Sequence, residues 1–187
     1  MRAGVFLAHV RASTFGGASY QNCHPFTYGR WSFVHNGQIG GFELLRRELE
    51  NQLPQELFNS RLGITDSELL FLLLVANGLE ISPKIACDNS IKLISRLHSS
   101  KNISQPLRLT FVLTDGKLLY GCRYSSDGNS PTLYLSKLLD HGGHALASEP
   151  LDGDHSKWTM VDECTLVRLD QNGAEHFALT STKQLAA

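Results

Sequence analysis

The alternation of apolar and polar positions divides the chain into strands, then helices, then strands. AGVFLAHVRA, residues 3–12, is apolar on both faces in its first half, the pattern of an interior strand, and begins almost at Met1 without a turn or lead-in. TFGGASYQNCHPF, residues 14–26, reads as loop, with Gly16-Gly17 and Pro25 as its breakers. In WSFVHNGQ, residues 31–38, Trp31, Phe33 and His35 alternate with Ser32 and Val34, as in a strand. Asn36-Gly37, taken alone, is a turn dipeptide that would end it.

The period then lengthens. GFELLRRELENQL, residues 41–53, sets Phe42, Leu45 and Leu49 on one stripe with charges opposite, which predicts an amphipathic helix broken by NSRLGI. TDSELLFLLLVANGLE, residues 65–80, starts with Thr65 as N-cap and Glu68 at N3, and Asn77-Gly78 ends that helix. Ser82-Pro83 opens a third helix, with Ile85, Ile91, Ile94 and Leu97 as its expected inner face. From Leu107 the pattern returns to strands. LRLTFVLTDGKLLYGCRYS is a hairpin across Asp115-Gly116. PTLYLS, GHALASEP, CTLVRLD and AEHFAL follow, the last two joined across Gln171-Asn172-Gly173. Grouped strands and helices of this kind predict an α+β fold with mainly antiparallel pairing.

The 187 residues suffice for one domain, residues 1–187, with a real core. Lys+Arg 17 against Asp+Glu 18 leaves a net charge of −1, so nothing points to a nucleic-acid or anionic-membrane partner. No apolar run approaches the roughly 20 residues of a membrane span. Cys23, Cys87, Cys122 and Cys164 show no C-x-x-C spacing, which suits reduced, buried thiols in a cytoplasmic protein.

Four polar sites carry candidate chemistry. Arg11 ends the first strand, where a guanidinium could grip a carboxylate or simply meet solvent. In NCHPF, Cys23 and His24 look like a thiol dyad, but adjacent side chains on an extended chain point opposite ways. Cys23 is therefore read as a packed thiol and His24 as a loop histidine bordering a pocket. At Asn36-Gly37, a side-chain amide and a backbone N–H could together make an oxyanion hole, or only a turn. Asp66, at the first turn of its helix, suits the dipole and could equally bind an ammonium. His141 and His144 in DHGGH lack a third ligand at a known spacing, so no metal site or cofactor is expected.

In order, HVRAS, NCHPF, WSFVHNGQI and TDSELLF resemble the class II glutamine amidotransferases, whose domain is an N-terminal-nucleophile hydrolase. FVLTDGKLLYGCRYS and HALASEPLD, followed by Trp158, resemble the later strands of a small stand-alone branch that includes enzymes acting on γ-glutamyl compounds. The resemblance implies a four-layer αββα fold and a small-molecule substrate, glutamine or a γ-glutamyl compound. It implies that Arg11 holds the α-carboxylate, Asp66 the α-ammonium, and Asn36 and Gly37 the oxyanion, with Thr14 and His24 lining the pocket.

The chain departs from the family at its start. The family's nucleophile is a cysteine at the mature N-terminus whose own amino group acts as base. Here only Met1 to Ala8 precede His9, and residue 2 is Arg. The expectation is a domain truncated at its N-terminus, lacking its first strands and inactive alone, with a bare sheet edge open to association. The alternative is a complete but catalytically dead module that binds a γ-glutamyl ligand or another protein. A thiol hydrolase using Cys23 needs His9 or His35 brought to it by the fold.

Overall fold

In a computed structural model, residues 4–10, 20–140 and 142–180 are described. Asp66–Ala76 forms α3, and every residue from Ser67 to Leu74 is buried, as its unbroken apolar run dictates. Thr65 caps it, its Oγ1 accepting the Glu68 N–H at 3.1 Å. The Glu68 carboxylate does not return to the cap. It accepts the N–H groups of Leu62 and Gly63 at 2.8 and 2.7 Å and so shapes the loop before the helix.

Around α3 pack α1 (Phe42–Glu50), α2 (Gln55–Ser60) and α4 (Pro83–Ser100). Leu45 and Leu49 bury the predicted stripe of α1. Helix α2, absent from the sequence reading, starts after Pro54 and buries Leu57. Helix α4 has Ser82 as its cap and Pro83 at N1, and buries Ala86, Ile91 and Ile94. Ile85, expected on the inner face, is 51% exposed. At helical spacing it shares the outer stripe with Asn89, Lys92 and Arg96.

A six-stranded sheet runs in the order β1 (Phe26–Tyr28), β2 (Trp31–Ile39), β3 (Leu107–Thr114), β4 (Leu119–Ser125), β8 (Thr165–Asp170), β9 (Gly173–Ala178), every neighbour antiparallel. A smaller sheet has the order β6 (Leu146–Ala147), β5 (Tyr134–Ser136), β7 (Trp158–Met160). One face of the large sheet sends Phe33, Phe111 and Tyr124 into the core shared with the helices. The other face sends Val112 and Val167 against Leu133 and Val161, with Leu135 and Leu146 of the small sheet packed on them. The α+β class and antiparallel pairing are as expected. The described residues build helices, large sheet and small sheet; an outer helical layer on the small sheet is not among them.

Two further expectations need correction. Residues 4–10 are not an interior strand: Phe6 is 82% exposed, and no strand pairing is formed there. The period of two survives, with Val5, Leu7 and His9 half-buried between exposed neighbours, and Leu7 packs on the core under the small sheet. Cys23 is exposed, not packed, whereas Cys87 and Cys122 are buried. Among the described residues no helix is long and apolar enough to cross a membrane.

Candidate active site

Asn36-Gly37 does not turn the chain. Strand β2 runs through both residues to Ile39, paired residue for residue with β3, so that Asn36 faces Thr110 and Gly37 faces Leu109. Long-range pairing outweighs the local preference of the dipeptide. β1 covers the outer edge of β2 only from Trp31 to Phe33. Beyond Phe33 no strand among the described residues pairs with that edge.

The register shows where the Gly37 N–H points. Leu107 directs its N–H to Ser126 Oγ at 3.0 Å and its carbonyl to the Ser126 N–H at 2.9 Å, both away from β2. Leu107 and Ile39 are therefore a non-hydrogen-bonded pair, and so are Leu109 and Gly37 two residues on. The N–H groups of Ile39 and Gly37 point to the same outer edge.

The Ile39 N–H is met there by Asp66 Oδ2 at 3.0 Å. Asp66 is half-buried at the N-terminus of α3, where the helix dipole favours a carboxylate. Its placement depends on the preceding loop. The Arg61 side chain, 6% exposed, bonds Glu50 and lies 3.8 Å from Glu68. The Ile64 N–H donates to Asn22 Oδ1 at 3.1 Å, which ties the loop to the turn at Tyr20–Asn22.

Behind this edge lies His35, buried on the helix side. Its Nδ1 is 3.0 Å from Ser67 Oγ, and Ser67 Oγ is 3.3 Å from Asp66 Oδ1. Burial pushes the His35 imidazole below the usual histidine range, while Asp66 and the Arg108 carbonyl oppose that shift. The same packing explains Gly37: a Cβ there would sit 2.1 Å from the Arg108 carbonyl oxygen and 2.6 Å from His35 Nε2. Only glycine leaves that space empty.

The fold thus brings Asn36, Gly37 and Asp66 to one edge. His24 is half-buried and packs tilted against His9, ring centroids 4.1 Å apart, and edge-on to Phe26 at 4.7 Å. Arg11 and Thr14 lie outside the described residues, as does His141. His144 Nδ1 lies 3.1 Å from the Ser136 carbonyl. Among the described residues, no group of three or more His, Cys, Asp or Glu is placed to hold a metal. Sequence reasoning missed the inward link from Asp66 to Ser67 and His35. Its one signal was His35 on the apolar side of an alternating strand.

Comparison with known proteins agrees with this architecture. A family model described as class II glutamine amidotransferases matches residues 1–135. The Saccharomyces cerevisiae protein named "Probable glutamine amidotransferase DUG3" is 31% identical over 197 residues, covering 86% of this chain and 55% of the yeast protein. An amidophosphoribosyltransferase of Methanocaldococcus jannaschii is 41% identical over 91 residues, covering 46% of this chain and 18% of that protein. The chain therefore spans about half the length of the first relative and under a fifth of the second. Among solved structures, a glutamine aminotransferase class-II domain protein from Silicibacter pomeroyi is 36% identical with a TM-score of 0.79, covering 88% of this chain and 74% of that one. The fold alone is shared with the glutamine phosphoribosylpyrophosphate amidotransferase of B. subtilis, at 18% identity and a TM-score of 0.61 over 92% of this chain and 34% of that one. A sheet edge carrying Asn36, Gly37 and Asp66 thus lies inside a matched family domain, and the chain belongs to the class II glutamine amidotransferases, with their N-terminal-nucleophile hydrolase fold.

Proposed function

We propose that the outer edge of β2 binds glutamine or a γ-glutamyl compound and is the acyl-transfer site of a γ-glutamyl amide hydrolase. Asp66 takes the α-ammonium, Arg11 the α-carboxylate, and Thr14 and His24 border the ligand. The Gly37 N–H and the Asn36 amide take the side-chain carbonyl oxygen as it becomes an oxyanion. One observation carries this reading: Asp66 is fastened to Ile39 on the same edge to which Gly37 turns its N–H. Two strand residues span about 6.8 Å, close to the reach of glutamine from its α-nitrogen to its amide carbonyl.

In the family's chemistry the thiolate of a cysteine at the mature N-terminus attacks that carbonyl, ammonia or an amine leaves, and water hydrolyses the thioester. Cys87 and Cys122 are sealed in the core on the helix side and cannot supply the thiol. These 187 residues are expected to bind the ligand without turning it over. The test is calorimetric titration with L-glutamine beside an ammonia-release assay. Binding that is lost in Asp66→Asn, with no ammonia formed, supports the reading. Ammonia release abolished by Cys23→Ser would place the chemistry at a different thiol and overturn it.

A further inference from the structure

Asp66 ends a chain of three side chains running inward from the ligand edge. Asp66 Oδ1 is 3.3 Å from Ser67 Oγ, and Ser67 Oγ is 3.0 Å from His35 Nδ1. Ser67 is 8% exposed and His35 3%. Both are held by the core: Ser67 is the second residue of α3, His35 is central in β2, and Phe33 and Phe71 stack between those elements with centroids 5.2 Å apart.

A serine hydroxyl has one proton to give. Ser67 can donate to Asp66 or to His35, not to both. The other ring nitrogen of His35, Nε2, meets no partner at full hydrogen-bond geometry; the acceptor that favours a proton there is the main-chain carbonyl of Arg108, which with Nε2 flanks the open side of Gly37. A ring nitrogen facing a carbonyl is best protonated, so in neutral His35 the Nδ1 lone pair is left as the acceptor. The Ser67 proton then turns inward, and Asp66 Oδ1 is left open to a cation. With His35 protonated, both ring nitrogens donate, and the Ser67 hydroxyl turns outward onto Asp66.

We propose that Ser67 and His35 are positioning residues that set how strongly Asp66 accepts the α-ammonium of the ligand: fully with His35 neutral, and weakened by the Ser67 hydroxyl with His35 protonated. This rests on the reading of Asp66 as the ammonium ligand. Among the described residues, the charged and titratable groups facing His35 are Asp66 from α3 and His9 from the segment before β1, and β3 presents the Arg108 carbonyl. The Arg108 guanidinium is instead bonded to Asp127. Burial, with a smaller contribution from His9, favours neutral His35, and Asp66 opposes it.

The experiment is the pH profile of L-glutamine affinity, by calorimetry from about pH 8 to about pH 5, for the wild-type chain, Ser67→Ala, Ser67→Thr, His35→Gln and Asp66→Asn. The wild type is expected to lose about tenfold in affinity as the pH falls, the size of one charge-linked hydrogen bond. Ser67→Ala flattens that loss and Ser67→Thr, which keeps the hydroxyl, restores it. His35→Gln flattens it too; should that variant fail to fold, the serine pair decides alone. Binding that is lost in Asp66→Asn but has the same affinity and pH profile in Ser67→Ala as in the wild type overturns the relay and leaves the site intact. Binding that is indifferent to Asp66→Asn overturns the site and the relay with it.

Discussion

The Asp66 carboxylate accepts the main-chain N–H of Ile39 at 3.0 Å, fastening the first turn of α3 to the edge of β2. That bond does structural work and also aims the carboxylate. The two roles separate by substitution. Asp66→Ala strands a part-buried N–H and is expected to cost about 1–3 kcal/mol. Asp66→Asn keeps an acceptor oxygen and is expected to cost less, while removing the charge. Urea unfolding of both variants checks this; equal losses would mean that Ile39 gains nothing from the contact.

Gly37 is required by space. It is extended within β2, and the atoms around its absent Cβ are a backbone carbonyl and a buried ring. Gly37→Ala must push β2 from β3 or displace His35, at about 1–3 kcal/mol. The measurement is the urea midpoint at unchanged slope. A midpoint matching the wild type would show that the strand pair yields freely.

Two histidines predict an acid-sensitive fold. Burial is the first cause lowering both His35 and His98 from the ordinary value of 6.5, opposed at His98 by the Gly40 backbone. A base held low in the folded chain binds fewer protons there than when unfolded, between its folded value and about 6.5. Stability is therefore full above about pH 6.5 and falls as the pH drops below it. His98→Gln, which leaves Asp66, Ser67 and His35 in place, is expected to shallow this fall. Thermal midpoints across that range test it, and a midpoint that rises on acidification contradicts it.

Much of this was legible in the chain itself. The cap at Thr65, the hairpin at Asp115-Gly116 and the strand-helix-strand order follow from local chemistry, and the structure has all of them. Asn36-Gly37 was ambiguous because turn preference is local, whereas β3, which holds the pair extended, lies some seventy residues away along the chain. Ile85 was misplaced because an apolar residue at a helix start fits two stripes, and only packing chooses between them. The link from Asp66 to His35 was invisible: Ser67 sits beside Asp66, but His35 meets it only when α3 lies on β2. Helix α2 is too short to show a period.

The central claim is that one sheet edge holds a γ-glutamyl ligand by its ammonium and its carbonyl. Backbone amide NMR on the full chain, titrated with L-glutamine, tests it most directly. Saturable shifts are expected at Gly37, Ile39 and Ser67, absent in Asp66→Asn. Saturable binding that leaves these three amides unmoved, or no binding at all, would contradict it.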